Sequence, residues 1–206
     1  MLAQLLKHSD VHADAAVLEV GCGTANYLAA LQEITGCQAV GVDPSTQMLA
    51  QARAQALQAQ FWQATAEDMP FLDATFDFIF SVDVIHHVQD RAVYFREAAR
   101  LLRPGGRFCT VTDSAEDIRQ RQPLSSHFPE TVPLELARYP RIAELETLLR
   151  AAGFRQIYVE NVVHEYLLTD IRPFQEKAYS ALHFISEEAF QRGLRRLQTE
   201  LGKGPI

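Results

Sequence analysis

The stretch VLEVGCGTANYL, residues 17–28, decides how the chain folds. Its apolar start reads as a strand, its two glycines as a tight turn, and its end as the opening of a helix. Gly21 and Gly23 let the backbone turn sharply and come close to a ligand. A dinucleotide loop would carry a further glycine three places on, packing helix against strand while the helix N-terminus faces a pyrophosphate. Here that place holds Asn26, so a pyrophosphate is a poor match. A glycine pair taken alone is also compatible with a plain strand–helix turn that binds nothing.

Outward from this turn, strand-length apolar runs alternate with helical periodicity. Ala16–Val20 is the first strand, and 25–34 a helix with Leu28 and Leu31 on one face. Gln38–Val42 is the second strand. Ser45 then caps a helix that buries Met48, Leu49, Ala52, Ala56 and Leu57. A short strand is expected near 60–63, and a fourth, almost continuously apolar, at Phe76–Val82, as befits a strand covered on both faces. A helix over 90–102 aligns Tyr94, Ala98, Leu101 and Leu102. The run RPGG at 103–106 stops it, and 107–112 is the fifth strand. The alternation predicts an α/β fold, a doubly wound and mostly parallel sheet, with right-handed crossovers fixing the topology.

After Thr112 the pattern loosens. Pro123, Pro129, Pro133 and Pro140 fall in a long connection at 113–140, a length that in a compact domain usually serves function. A helix is expected over 141–152, ended by Gly153, then a strand or strand pair at 154–168 and helices near 170–180 and 186–201. The expected organisation is one domain over 1–206, with a core at 1–113 and a more variable portion at 114–206.

Composition is that of an ordinary globular chain: 206 residues, 48% hydrophobic and 22% charged. The net charge of −7, without a block of Lys and Arg, argues against a phosphate-tracking surface and so against nucleic acid. The pair Arg195–Arg196 reads as a solvated helix face. Three cysteines without regular spacing, Cys22, Cys37 and Cys109, argue against a disulfide framework and for a reducing compartment. No secretory leader and no membrane-length apolar run is seen, so the expectation is a cytoplasmic protein that does not use a membrane.

In a doubly wound sheet, ligands sit beyond the C-terminal ends of the strands. The first strand ends at Gly21. The second ends at Asp43, twenty positions after Gly23, the spacing of a carboxylate that accepts ribose hydroxyls. The third is followed by ATAEDMPF at 64–71, the fourth by SVDVIHHV at 81–88, and LRPGG precedes the fifth.

With these on the page the chain resembles the class I S-adenosylmethionine-dependent methyltransferases, in particular the group known as methyltransferase type 11. VLEVGCGTANYL, VGVDPSTQML, AEDMPF, FDFIFSVDVIHHV and LRPGGRF match that group in order and spacing over about residues 16–113. The resemblance implies the Rossmann-like methyltransferase fold and S-adenosylmethionine as cofactor. It implies that Gly21, Cys22, Gly23 and Asn26 form the turn around the methionine portion, with Glu19 holding that turn and the ligand's amino group. Asp43 would take the ribose hydroxyls, and Pro44 and Met48 would pack on adenine. Ala66 would offer its N–H to the ring, beside Thr65 and Glu67, and Ser81 its carbonyl to the ammonium.

Departures from the pattern are informative. Thr65 stands where such proteins often carry Asp, so Glu67 or Asp68 is expected to substitute as acceptor. Ala25 replaces a frequent glycine. About fifteen residues precede the first strand, where the group usually has several tens forming a lid, and the chain stops at GKGPI, where a last antiparallel strand often follows. The expectation is a shortened protein with a more open site.

Methyl transfer from a sulfonium is an in-line displacement that mainly needs positioning and exclusion of water. His86 and His87, after the fourth strand, are the candidates for a general base, with Asp83 and Asp113 as further strand-end groups. Two carboxylates without a third ligand do not make a metal site, and none is expected. The chain lacks the Asn/Asp-Pro-Pro run of amino-base transferases after the fourth strand, and no cysteine is placed for covalent C5 chemistry. A small-molecule acceptor follows, with His127, Phe128 and Tyr139 helping to form its pocket. The acceptor atom and the oligomeric state are left open. The alternatives are a non-catalytic S-adenosylmethionine-binding or interaction module, and a nicotinamide oxidoreductase, which Asn26 disfavours.

Overall fold

The computed structural model describes residues 1–55, 58–163 and 167–206. Ala56 and Leu57, expected on the buried side of a helix, and positions 164–166 of the strand expected at 154–168 lie outside the described residues. The chain forms two compact units: Met1–Thr112 with Ala143–Glu160, and Asp113–Ile142 with Asn161–Ile206.

The first unit is built on a five-stranded sheet with all ladders parallel: β1 (Ala16–Val20), β2 (Gln38–Asp43), β3 (Ala59–Gln63), β4 (Phe76–Val82) and β5 (Leu102–Val111). Their spatial order is β3-β2-β1-β4-β5. The order reverses between β1 and β4, which makes the mouth above these two strands the switch point of a doubly wound sheet. Register sets Glu19 beside Gly41 on one side and Phe80 on the other. All five residues of β1 are buried, the carboxyl-bearing Glu19 among four apolar ones, as in a strand covered on both faces.

The connecting helices are α2 (Asn26–Thr35), α3 (Thr46–Ala54) and α4 (Arg91–Leu101), with α1 (Leu2–Ser9) before the sheet and α8 (Ile142–Ala151) after it. Leu28 and Leu31 of α2 and Leu49 and Ala52 of α3 join Val17, Phe78 and Phe80 in one core. Each large side chain so enclosed contributes roughly 2–3 kcal/mol of transfer free energy. Ser45 caps α3 by accepting from Met48 N–H, and Asp90 caps α4 by accepting from Val93 N–H at 3.0 Å. α1 was not legible as a helix; Leu5 anchors it in the same core.

β5 begins at Leu102 rather than 107, because α4 passes directly into extended backbone. Phe76 pairs with Leu102 and Phe78 with Arg107, so the run RPGG forms a bulge within the strand instead of a separate stop. The strand expected at 154–168 is not found: among the described residues of that range none lies in a strand. Its β-branched and aromatic residues have the propensity, but a strand also needs a partner to bury against, and Tyr158, Val159, Val163 and Leu167 stay exposed.

The second unit is helical, with α5 (Ala115–Gln120), α6 (Leu124–His127), α7 (Thr131–Arg138), α9 (Arg172–Gln175), a 3₁₀ turn at Ser180–His183 and α10 (Glu187–Leu201). The connection thus carries the short helices its composition suggested, the first opened by a reciprocal capping box between Ser114 and Asp117. Arg121 pairs with both Asp113 and Glu135, the latter almost fully buried. The single helix expected at 170–180 is two short turns, because Lys177 adopts a left-handed φ of 52° and Tyr179 is extended. Phe128, Phe174, Phe190, Leu194 and Leu197 form this unit's core, and Leu168 exchanges two backbone hydrogen bonds with Ile206 at 2.7 and 3.2 Å.

Candidate functional site

The turn after β1 has three positive φ angles in five residues, Gly21 at 67°, Gly23 at 52° and Ala25 at 64°. A side chain on Gly21 would meet Val84 at 2.4 Å, so this glycine is required by close packing against the segment after β4. A side chain on Gly23 would meet nothing within 4 Å. Gly23 therefore borders open space at the sheet's mouth. Ala25 bears the left-handed conformation at a cost of roughly 1–2 kcal/mol, which explains why glycine would suit that position.

Two buried carboxyls flank the turn. Asp43, 8% exposed, accepts from Gly23 N–H and from Ser45 N–H, each at 2.8 Å, and so ties the turn after β1 to the start of α3. Glu19, 3% exposed, accepts from Leu28 N–H at 3.1 Å. Burial pushes the Glu19 carboxyl up to about 8, against the pull of the Leu28 amide and with help from the charge of Asp43. Burial, Glu19 and Asp43 likewise push the Cys22 thiol up to about 12, so Cys22 stays protonated at neutral pH and is no nucleophile.

Beyond this centre, Gln55 donates to Thr24 O at 2.7 Å and to Asn26 Oδ1 at 3.1 Å, fastening the turn to the end of α3. Gln63 donates to Pro44 O at 3.1 Å. Met48, expected on the buried side of its helix, is instead 42% exposed on the first turn of α3, where Leu49 and Ala52 take the core face; Ala66 is buried. Thr65 pairs with Asp68 across a tight turn. Glu67 Oε1 accepts from Gln89 N–H at 2.8 Å and Asp90 N–H at 3.2 Å, steadying the entry to α4.

At the end of β4, Ser81 is wholly buried and donates to Thr110 Oγ1 at 3.0 Å. Asp83 holds a left-handed φ of 56° while its N–H bonds Val111 O at 3.0 Å. Strain of this kind collects at functional sites. His86 and His87 lie in the turn that follows, their ring centroids 4.1 Å apart, His86 half-buried and His87 exposed. Sequence reasoning missed Tyr27 and Gln55. Burial, with the charges of Asp83 and Glu19, raises the pKa of the Tyr27 phenol. Its position inside the opening motif was the available signal.

In the second unit, Phe128 is fully enclosed against Phe174 and Phe190. It is a core residue and not a pocket wall, because the helical unit needs its aromatic volume. His127 is 5% exposed and lies within hydrogen-bond distance of Pro123 O, at 2.9 Å, and Glu200, at 2.7 Å. Asp113 is engaged by Arg121. Among the described residues no three His, Cys, Asp or Glu gather as a metal site, and no helix is long and apolar enough to cross a membrane.

A family model described as a methyltransferase domain matches residues 18–110. The chain is similar to an O-methyltransferase of Penicillium expansum, 33% identical over 80% of this chain and 60% of that protein. An O-methyltransferase of Aspergillus sclerotiorum is 33% identical over 68% of this chain and 54% of its own length. The chain thus spans a little over half the length of these relatives. A solved structure of a methyltransferase candidate from an antibiotic biosynthesis pathway of Anabaena variabilis superposes with a TM-score of 0.78 over 98% of this chain and 85% of that one, at 22% identity, a likeness of fold.

Proposed function

We propose, from the chain's membership of the class I S-adenosylmethionine-dependent methyltransferases, that it transfers a methyl group from this cofactor to an oxygen of a small molecule. The observation that carries the reading is the pair of buried carboxyls at the ends of two adjacent central strands. Asp43 has two amide donors already and keeps lone pairs for the two ribose hydroxyls. Glu19, held largely protonated by burial, is a carboxyl prepared for a cation, and the ligand's ammonium would restore its charge. The open space beside Gly23 suits the methionine chain, while Pro44, Met48 and Ala66 line the adenine side. When bound, the cofactor supplies an electrophilic methyl on a sulfonium.

The chain's own groups then orient and shield. Ser81 turns its carbonyl toward the ammonium, its hydroxyl fixed by Thr110. Tyr27 and the turn after β4 would shield the methyl from water, and His86 or His87 would accept the proton that the acceptor hydroxyl loses as the methyl passes from sulfur to oxygen. Oxygen is chosen on the likeness to two O-methyltransferases. Both units belong, in this reading, to one methyltransferase domain, and three free thiols suit a reducing, cytoplasmic setting.

The test is turnover: purified protein, labelled S-adenosylmethionine and a panel of phenols and alcohols, with S-adenosylhomocysteine formation as readout. Acceptor-dependent product from at least one hydroxyl compound supports the proposal. Cofactor binding without turnover on any acceptor would replace it with a non-catalytic binding module.

A further inference from the structure

We propose that a basic groove in the helical unit binds the phosphate groups of a small phosphorylated molecule, a site that goes beyond the methyl-transfer reading and does not rest on it. The groove has a volume of about 790 Å³. One wall is α10, which contributes Arg192, Arg195, Arg196 and, just past its end, Lys203; Gln122 and His127 face them. The spacing of the first three arginines, i, i+3 and i+4, puts them on one side of the helix. The other side is sunk in the core through Phe190, Leu194 and Leu197. Gly193 lies so close to Phe128 that a side chain there would meet the ring at 2.2 Å, so the helix cannot roll to hide its cations.

The cations are unequally neutralised. Arg192 pairs with Glu130 at 3.0 Å, and Arg196 is clamped by hydrogen bonds from its guanidinium to His127 O, one of them at 3.0 Å. Glu200, the carboxylate in the lining, is engaged by His127. Among the described residues Arg195 and Lys203 form no ion pair. Four cations in one concavity, two of them unpaired, run against the net charge of −7 of the whole chain. A local reversal of sign inside a recess concentrates anions.

Charge and size set the ligand class. Guanidinium forks match the paired oxygens of phosphate, and an ammonium adds a point charge. The helix from Arg192 to its end at Leu201 spans about 14 Å, with Lys203 just beyond it, room for two phosphate groups. A polymer would need a longer cationic track than this and would meet Glu130 and Glu200 at the rim.

The experiment is calorimetric titration of the full chain with pyrophosphate at low salt, repeated with Arg195→Glu/Lys203→Glu and with Arg195→Lys/Lys203→Arg. Saturable one-site binding with a dissociation constant below about 1 mM, weakened at least about tenfold by charge reversal and kept by the conservative pair, supports the site. Circular dichroism reports whether the reversed variant folds; if it does not, Arg195→Gln replaces it. Absence of saturation at about 10 mM, or binding that both variants leave unchanged, overturns the proposal. Tricarballylate binding as tightly as pyrophosphate would assign the groove to carboxylates instead, and a single-stranded oligonucleotide binding more tightly would assign it to a polymer; either result refutes the phosphate assignment.

Discussion

Glu19 offers a proton-linked test of how the cofactor's ammonium is received. With its carboxyl at about 8, some nine in ten molecules carry the proton on Glu19 at pH 7. Pairing with an ammonium drives that group into its ionised form and expels the proton. The ligand's own α-amino group, an amino-acid amine beside a free carboxylate, is already charged at pH 7 and takes up almost nothing. Binding of S-adenosylhomocysteine should therefore release about 0.9 proton at pH 7. At pH 9 Glu19 is already ionised and its release should vanish. The assay is titration calorimetry in buffers of different ionisation enthalpy. Glu19→Gln should abolish the release at pH 7. A wild-type release below about 0.2 proton at pH 7, or equal release in the variant, would refute the pairing. The same group shapes unliganded stability. Its folded pKa lies above the unfolded value of 4.5, so its contribution is fully present below pH 4.5 and is lost as pH rises through about 8. Relative to Glu19→Gln the loss amounts to at most about 5 kcal/mol, read from urea unfolding across that window.

Asp43→Ala removes the ribose acceptor and the tie between Gly23 and Ser45, and should weaken S-adenosylhomocysteine binding by at least about tenfold; unchanged affinity would take Asp43 out of that role. Gly21→Ala collides with Val84 and demands a left-handed alanine, so it should cost about 2 kcal/mol or more in urea midpoint, part of it recovered by Val84→Ala. Arg121→Met leaves the buried Glu135 without its partner and should cost about 3 kcal/mol, whereas an effect under about 0.5 kcal/mol would mark the network as dispensable. His86→Ala should lower kcat by about a hundredfold with little change in cofactor affinity, and equal kcat at all pH values would remove it as base.

The sheet was legible because its strands are buried on both faces and read as nearly unbroken apolar runs, β1 and β4 above all. Glycines, Asp43 and Ser45 were legible too, since turn and cap chemistry is local. What sequence did not disclose depends on partners distant in the chain. α1 is held by Leu5 in a core formed by residues far along the sequence. The expected strand at 154–168 had propensity without a partner. The bonds from the amides of Gln89 and Asp90 to Glu67 Oε1 join segments more than twenty residues apart. Phe128 looked available to an acceptor, yet its ring fills the core of the helical unit. Ala25 and Asp83 give no sequence sign of their left-handed backbones, because only the assembled turn forces them.

The central claim is that this mouth is built for S-adenosylmethionine and not for a dinucleotide. Calorimetric titration of the full chain with S-adenosylhomocysteine and, separately, with NAD tests it most directly. The account predicts one saturable site for S-adenosylhomocysteine, with a dissociation constant of about 1–100 μM, and no heat from NAD. Saturable NAD binding with none for S-adenosylhomocysteine would contradict it.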